Sequence, residues 1–492
     1  MTETAKKKRG MPSSFTILLA LLAIVAVITV IVSGTSGGEV TAARLSDFCT
    51  APVKGFADAL PVCLFVMILG GFLGMMTETG ALDNGIAVLV QKLKGNEIML
   101  IPVLMLIFSL GGTTYGMCEE TVPFYALLAA TMMAAGFDPM VGAATVLLGA
   151  GCGCLGSTVN PFAVGAAVDA LTGVDIAVNQ SIIIGLGAVL WLVTTVMSIV
   201  FVMSYAKKVK ADKGSTILSM QELKDAEEAH GKAASEVNKE VKLTGRQKGV
   251  LIAFAFTFVV MIVGFIPLAD LNEGVANFFD AGAVYDADGN AVVQGWSALI
   301  TGLPIGQWYF DEASTWFFLM AILIGIIGGL SEKQIVNTFI TGAADMMSVV
   351  LVIAPARGIS VLMASTGLDV YVLDAAANAL AGLSGVIFAP MSFLVYFGLS
   401  FLIPSTSGMA TVSMPIMGPL AVKLGFSPEV MVMIFSAAIG VVNLFTPTSG
   451  AIMGGLALAK IEWTTWLKFA LKLIVALSVV CAVILTIACV ML

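Results

Sequence analysis

Four short clusters rich in side-chain oxygens interrupt the long apolar stretches of this sequence. Two are helix-breaking motifs, Ser-Thr-Val-Asn-Pro at 157–161 and Thr-Pro-Thr-Ser-Gly at 446–450. The other two lie upstream of them, Gly-Gly-Thr-Thr at 111–114 and Pro-Ser-Thr-Ser at 404–407. Hydroxyl and amide oxygens bind cations and hydrogen-bond to ligands, and a proline within a helix frees the backbone groups beside it. The four clusters are therefore candidates for one shared binding site.

Four ionisable side chains lie within or beside the apolar stretches: Glu119, Glu120, Asp345 and Arg357. Charged groups at membrane depth are rare and by default indicate the path of a substrate or ion. A guanidinium can hold a carboxylate through two hydrogen bonds, whereas adjacent glutamates attract an ammonium or guanidinium group. Three alternatives stay open: an Arg357–Glu pair that only joins helices, interfacial solvation of the glutamates, and placement of Asp345 at a helix N-terminus.

The candidate substrate-binding residues come from these clusters and charges. They are Thr113, Thr114, Glu119, Glu120, Ser157, Thr158, Asn160, Arg357, Ser405, Thr406, Ser407, Thr446, Thr448 and Ser449. The alternative for each hydroxyl is that it only satisfies backbone groups freed by the break. No catalytic residue is expected, because His230 is the only histidine and the seven cysteines form no cluster with it. A histidine-based metal site and a Ser-His-Asp triad are thereby excluded, and the chain is not expected to be an enzyme.

The composition indicates which elements must position these groups. Of the 492 residues, 59% are hydrophobic and 11% are charged, against roughly 25% charged in soluble proteins. A water-soluble protein is excluded, and the long apolar runs predict an all-α polytopic membrane protein. A basic cluster at 6–9 precedes an apolar run at 14–33 that is too long for the core of a signal peptide. This pattern predicts an uncleaved first helix with a cytoplasmic N-terminus.

Two polar segments determine the predicted topology. The basic segment, residues 206–248, contains ten Lys or Arg side chains and is expected in the cytoplasm. The acidic segment, residues 268–314, contains no Lys or Arg and is expected outside, so one helix at about 249–267 must join the two. Asp-Gly turn chemistry at 285–291 predicts a small external hairpin, with a calcium loop as the alternative.

The second half of the chain repeats the landmarks of the first half in the same order. Each half has a hydroxyl-rich cluster, then Gly-Phe-Asp-Pro or Gly-Phe-Ser-Pro, then a broken apolar stretch. If the hydroxyl-rich clusters are tips of re-entrant hairpins, the two repeats have opposite orientations and the C-terminus lies outside. Inverted repeats with broken helices are typical of transporters whose binding site lies where the breaks meet.

This pattern predicts five divisions of the chain. They are an N-terminal segment with the first transmembrane helix (1–59), a first inverted repeat (60–205, hairpin at about 97–136, broken helix at about 139–173), a cytoplasmic loop (206–248), connecting helices (249–344), and a second inverted repeat (345–492, hairpin at about 386–424, broken helix at about 428–462).

Five motifs resemble those of one carrier family. They are GGTTYGMCEETVPFY, GAGCGCLGSTVNPFAVG, APARGISVLM, PSTSGMATVSMPIMGPLA and LFTPTSGAIMGG. Through them the sequence resembles the anaerobic four-carbon dicarboxylate carrier family, in its YfcC-like branch, within the ion transporter superfamily. The resemblance implies a secondary active transporter of the bacterial inner membrane. It also implies a dimerising scaffold and a transport domain that moves as an elevator.

The resemblance further implies ligands and substrates. The superfamily often binds sodium between hairpin tip and broken helix, which here corresponds to Thr113, Ser157, Asn160, Ser405, Thr446 and Thr448; no other cofactor is implied. Members are assigned to dicarboxylates or, in the YfcC-like branch, to basic amino acids in arginine/ornithine-type exchange. Related dicarboxylate carriers have Ser-Asn-Thr at both breaks, and this chain has a different order at each.

A basic amino acid is therefore the favoured substrate, with exchange of C4-dicarboxylates as the alternative. Glu119 and Glu120 would hold a cationic side chain, while Arg357 would hold the α-carboxylate. Coupling to sodium or to protons stays open. A channel is disfavoured because an open pore needs no paired hairpins, and a membrane-embedded enzyme because it would need a metal set or an aspartyl pair. The expected partners are a small solute, the lipid bilayer and a second copy of the chain, with no nucleic acid.

Overall fold

The computed structural model describes residues 14–82, 84–85, 88, 96–236, 242–266, 268–271, 273–285 and 291–492. Within these ranges the chain is almost entirely α-helical, and nine helices are long and apolar enough to cross a membrane. The basic cluster at 6–9 and the turn expected at 286–290 lie outside the described residues. The protein is therefore a multi-span membrane protein.

The helices described before the basic segment include a first hairpin and a first broken helix. They are α1 (Ser14–Ser33), α2 (Leu45–Asp58), α3 (Leu60–Glu78), α4 (Leu100–Tyr115), α5 (Val122–Ala134), α6 (Pro139–Leu155), α7 (Ala166–Thr172) and α8 (Gln180–Ala211). Helix α1 occupies the apolar run predicted as the first helix. Helices α4 and α5 form the first hairpin with its tip at 116–121, and α6 and α7 are the two parts of the first broken helix.

The middle of the chain connects the two halves. Its elements are α9 (Met220–Glu236), α10 (Gly245–Phe265), α11 (Leu268–Leu271), α12 (Glu273–Phe279), β1 (Val284–Tyr285), β2 (Ala291–Val293) and α13 (Phe310–Gly328). Helix α10 is the predicted connection between the basic and acidic segments. Strands β1 and β2 pair antiparallel, which confirms a hairpin in this part of the acidic segment.

The second half presents a comparable order of elements. They are α14 (Glu332–Asp345), α15 (Met347–Thr366), α16 (Leu368–Leu380), α17 (Gly385–Leu402), α18 (Thr406–Lys423), α19 (Pro428–Val442), α20 (Gly450–Leu458) and α21 (Trp463–Met491). Helices α17 and α18 form the second hairpin with its tip at 403–405, and α19 and α20 form the second broken helix. The opposite orientation of the two halves stays a prediction.

The expected placement of Asp345 at the start of a helix is wrong. Asp345 is the last residue of α14, and Met346 separates α14 from α15. The Asp345 side chain is exposed, whereas Met346 is buried. The boundary between the two helices falls at Met346, so the carboxylate ends one helix instead of opening the next.

The first hairpin turns later than the sequence pattern predicts. The Gly-Gly-Thr-Thr cluster forms the last turn of α4, and Gly116 ends the helix with a φ of 79°. Its N–H donates to Gly112 O at 3.1 Å, and Met117 N–H donates to Gly111 O at 3.4 Å. A glycine accepts this left-handed conformation without strain, so it fixes the end of the helix. Residues 111–114 therefore lie below the tip, which is a correction of the prediction.

Asp138-Pro139 and Ser427-Pro428 start the two broken helices. Each pair combines an N-cap side chain with a proline at the first helical position, where no N–H is needed. Asp138 Oδ1 accepts from Val141 N–H at 3.1 Å, and Ser427 also caps its helix. The repeated Gly-Phe-x-Pro motif therefore sets where both broken helices begin.

The helices pack as two groups. We define the wall group as α1–α3, α10 and α13–α15, and the hairpin group as α4–α8 and α17–α21. In the wall group α2 crosses α15 at Gly55 and Gly358, where a Cβ on Gly55 would lie 2.3 Å from Gly358 N. Helix α3 crosses α14 at Gly70 and Gly342, where a Cβ on Gly70 would lie 2.5 Å from Gly342 O. Glycines thus allow backbone-to-backbone contact at both crossings.

The basic segment is attached to the hairpin group through α9. Helix α9 packs against α5, and Glu222, which is 3% exposed, accepts from Glu462 N–H at 2.9 Å. His230 Nε2 lies 3.1 Å from Leu458 O, at the end of α20. The segment predicted as a loop therefore includes a helix that contacts both halves of the hairpin group.

Candidate functional site

A cavity of about 290 Å³ lies between the wall group and the hairpin group. Both hairpin tips, both helix breaks and helices α2, α3, α13 and α15 contribute to its lining. Irregular backbone at membrane depth is tolerated only where it is buried in protein or lines a water-filled space. The tips and breaks meet this requirement by facing one another around the cavity, which is the candidate functional site.

The structure brings together nine of the fourteen candidate residues at this cavity. They are Glu119, Glu120, Asn160, Arg357, Ser405, Thr406, Ser407, Thr448 and Ser449. The other five do not line it: Thr113, Thr114, Ser157, Thr158 and Thr446.

Hydrogen bonds join the first hairpin to the first break. Thr113 Oγ1 donates to Gly156 O at 2.6 Å, and Thr113 O accepts from Thr158 N–H at 2.9 Å and Thr158 Oγ1 at 3.0 Å. Thr114 Oγ1 donates to Leu110 O of its own helix at 2.6 Å. These hydroxyls hydrogen-bond to backbone carbonyls and join the two segments. This agrees with the alternative that they only satisfy backbone groups freed by the break. The expected position of Thr113 and Thr114 at the hairpin tip is wrong.

Other side chains at the first break also hydrogen-bond to backbone groups of that break. Ser157 Oγ donates to Cys154 O at 2.6 Å and accepts from Asn160 Nδ2 at 2.9 Å. Asn160 Oδ1 accepts from Phe162 N–H at 2.9 Å and so caps the turn that begins at Pro161. Asn160 is the one residue of this network that both holds the break and lines the cavity.

The second hairpin and the second break share no hydrogen bond in the part of the chain that the structure describes. Ser405 Oγ accepts from Gly408 N–H at 3.1 Å and caps α18. Thr446 Oγ1 and Thr448 Oγ1 lie 2.7 Å apart, and Thr446 is fully buried. Several hydroxyl residues of the second half nevertheless line the cavity, whereas Thr113, Thr114, Ser157 and Thr158 of the first half do not.

The charges around the cavity are unequal. Among the described residues, Asp58, Glu119 and Glu120 are the acidic lining residues and Arg357 is the one basic lining residue. Glu120 is 1% exposed, and its Oε2 accepts from Cys118 N–H at 3.0 Å. A cavity with this excess of carboxylates attracts cations while retaining one guanidinium for an anion.

Asp58 and Asn443 are two of the polar lining residues that the sequence pattern did not indicate. Asp58 ends α2 beside Arg357. The sequence feature that could have indicated Asp58 is the spacing of small residues in α2 and α15, which lets the two helices cross closely. Asn443 follows the last residue of α19, and its Oδ1 is buried with no hydrogen-bond partner among the described residues. Its position three residues before Thr446, at the polar break, could have indicated it as a lining residue.

No group of three His, Cys, Asp or Glu side chains that could hold a metal occurs among the described residues. The expected sodium ligands are hydroxyl and amide oxygens, which suit a hard cation. Of that set, Asn160, Ser405 and Thr448 line the cavity, while Thr113, Ser157 and Thr446 do not. A sodium site therefore stays a prediction.

Solved structures similar to this chain include two membrane proteins. One is MtrF of Neisseria gonorrhoeae, described as belonging to a class of antimetabolite efflux pumps (17% identity, TM-score 0.44, covering 98% of this chain and 96% of MtrF). The other is the YdaH transporter of Alcanivorax borkumensis, described as having an unusual topology (15% identity, TM-score 0.45, covering 97% of this chain and 98% of YdaH).

Two curated proteins are similar in sequence. An uncharacterized protein of Haemophilus influenzae is 28% identical over 445 residues, covering 90% of this chain and 78% of that protein. The Escherichia coli K12 protein named "Putative basic amino acid antiporter YfcC" is 27% identical over 440 residues, covering 87% of this chain and 77% of that protein.

The family match extends over most of the chain. Residues 34–490 match the profile of the C4-dicarboxylate anaerobic carrier family, DcuC. The matched range includes both hairpins, both broken helices and the cavity between the two helix groups. This chain therefore belongs to the C4-dicarboxylate anaerobic carrier family and is a membrane transporter.

Proposed function

We propose that this transporter moves a basic amino acid in arginine/ornithine-type exchange. The observation that carries the proposal is the arrangement of three carboxylates and one guanidinium around a single cavity. A basic amino acid has the complementary charges, one carboxylate and two cationic groups. The name of the E. coli relative supports the same class of substrate.

Arg357, Glu119 and Glu120 each have a role in this proposal. The Arg357 guanidinium holds the α-carboxylate through two hydrogen bonds. Glu119 and Glu120, at the first hairpin tip, bind the cationic side chain of the substrate. The hydroxyls of Ser405 and Thr448 supply hydrogen bonds that orient the solute between these charges. Thr406, Ser407, Ser449 and Asn160 complete the polar lining.

A C4-dicarboxylate is the second candidate, and one observation favours it. Helices α18 and α20 both begin at the cavity, and a helix N-terminus attracts a carboxylate. One carboxylate at Arg357 and another at these N-termini would suit a dicarboxylate if Glu119 and Glu120 were protonated. The charge excess weighs against it, because two ionised glutamates repel a dianion.

The proposed transport cycle uses the two helix groups. The hairpin group slides past the wall group as an elevator, while the wall group forms a homodimer and stays fixed. Sodium at the hydroxyl and amide oxygens or protons at the glutamates couple the cycle. The basic segment faces the cytoplasm and the acidic segment faces outside. The cavity supports this cycle because it lies at the boundary between the groups.

Counterflow in liposomes tests the substrate. Purified protein is reconstituted into vesicles preloaded with arginine, and uptake of labelled arginine is measured with external ornithine or succinate as competitor. We expect ornithine to compete and succinate to have no effect. Vesicles without internal arginine are the control and should show little uptake, since exchange needs a counter-substrate. Competition by succinate alone would overturn the proposal.

A further inference from the structure

Arg357 has a carboxylate neighbour that the proposed function does not use. Asp58 Oδ2 lies 3.6 Å from Arg357 Nε, the one ion pair of Arg357 within the described residues. At this distance the contact is an ion pair without a hydrogen bond. Lys210 Nζ and Glu97 Oε2, by contrast, approach to 2.7 Å. The Arg357 donors therefore stay available to another acceptor.

The backbone, and not the ion pair itself, keeps Asp58 beside Arg357. A Cβ on Gly55 would lie 2.4 Å from Ala354 O, and one on Gly358 would lie 2.7 Å from Ala51 O. Small residues four apart on both α2 and α15 allow this close crossing. Asp58 lies one turn after Gly55, so the crossing places its carboxylate at the cavity wall whatever Arg357 binds.

We propose that Asp58 is the resting counter-ion of Arg357 and that the carboxylate of the solute competes with Asp58 for the guanidinium. The inference rests on the proposed function only in taking a carboxylate as the ligand of Arg357. The Asp58 side chain is 52% exposed and that of Arg357 is 26% exposed, so both are open to an incoming solute.

The competition should change the affinity for the solute in a direction that can be measured. Because α2 holds Asp58 in place, a carboxylate bound at Arg357 lies close to a second carboxylate, and like charges repel. Asp58 therefore weakens binding and speeds release, which suits an exchanger that must give up its solute on each side of the membrane.

The Asp58→Asn variant removes the charge and keeps the shape. We expect arginine to bind about two- to fivefold more tightly, the range measured for partly exposed ion pairs. The maximal exchange rate should fall, because release becomes slower. Arginine affinity is measured by calorimetry on purified protein, and exchange is measured in liposomes. Asp58→Ser serves as a second charge-removing variant should the first not fold.

Three controls isolate the competition. Asp345→Asn makes the same change at the end of α14, away from the cavity lining, and should leave arginine affinity unchanged. Agmatine, which is arginine without its carboxylate, should not bind more tightly to Asp58→Asn. In an Arg357→Gln background, Asp58→Asn should no longer tighten arginine binding.

The outcomes separate this inference from the proposed function. Weaker or unchanged arginine binding by Asp58→Asn overturns the inference alone, and so does equal tightening of agmatine. A wild type that binds succinate and ignores arginine overturns the proposed function alone, and the same variants are then compared with succinate. A wild type that binds neither overturns both.

Discussion

The two pairs of hairpin tip and helix break contain the same residue types and use them differently. In the first pair, Thr113 and Thr158 hydrogen-bond across the gap between hairpin and break. In the second pair, Ser405 caps its own helix and Thr448 bonds to the neighbouring Thr446, with no hydrogen bond between tip and break in the described chain. Hydrogen bonds join the first pair, whereas several hydroxyl residues of the second pair line the cavity.

Glycine positions explain the difference. A Cβ on Gly112 of α4 would lie 2.2 Å from Ala150 O, and one on Gly153 of α6 would lie 2.2 Å from Ser109 O. These two helices are therefore in backbone contact, which brings hydroxyls within reach of carbonyls. In the second pair, Gly398 of α17 is exposed and has no atom within 4 Å of its Cβ position, so it makes no such contact. We infer that the close glycine contact between α4 and α6 lets the hydroxyls at the first break reach carbonyls of the neighbouring segment.

The largest expected effect is the contrast between Gly112→Ala and Gly398→Ala. The methyl group at position 112 overlaps backbone of α6, which cannot move as a side chain can, so this variant should lose most folded protein. The methyl group at position 398 meets open space and should stabilise the helix by about 0.5–1 kcal/mol. The folded yield of the two variants is measured by size-exclusion chromatography. Equal yields would contradict the close backbone contact at Gly112.

Next in size is the loss of binding on replacing a hydroxyl in the second break. Thr448→Val keeps the shape but removes a cavity hydroxyl, and substrate affinity should fall about tenfold, as for one lost hydrogen bond to a charged group. Thr114→Val is the matched control, because Thr114 bonds within its own helix and does not line the cavity. Calorimetry with the transported solute measures both. An equal effect of the two variants on substrate affinity would contradict the binding role of Thr448.

The corresponding change in the first half should act on stability instead. Thr113→Val leaves Gly156 O without its donor in a buried place, so the free energy of unfolding should fall by about 1–3 kcal/mol. Substrate affinity should stay near that of the wild type. Thermal unfolding without ligand measures the first effect. A variant of normal stability with weak binding would place Thr113 in the binding site after all.

The smallest effect concerns the far end of the second broken helix, where His230 meets Leu458. Burial lowers the pKa of His230 below its ordinary value of 6.5, although the Leu458 carbonyl opposes this shift. The unfolded chain therefore binds the proton more tightly, and the contribution of His230 to stability is full above pH 6.5 and is lost as the pH falls below it. In His230→Gln the unfolding temperature should depend less on pH between about pH 5 and pH 8. If the unfolding temperatures of the wild type and His230→Gln depend on pH in the same way, His230 makes no such contribution to stability.

Residue types and proline positions predicted much of this architecture. Helix α1, the break at 157–161 and the break at 446–450 occur where the sequence indicated them. The sequence could not show which hydroxyls face the cavity, because that depends on how closely two helices approach. Thr113 and Ser405 look equivalent in sequence, yet the contact at Gly112 encloses only the former. Asp58 was missed because its role arises from a helix crossing between distant parts of the chain.

The proposed function requires that the carboxylates of the first hairpin tip hold the cationic side chain of the solute. Its most direct test is calorimetric titration of arginine into the wild type, Glu119→Gln and Glu120→Gln. Glutamine keeps the size and most hydrogen bonding but removes the charge. We expect at least one variant to lose arginine binding while its unfolding without ligand stays cooperative. Normal arginine affinity in both variants, or a wild type that binds succinate and ignores arginine, would contradict it.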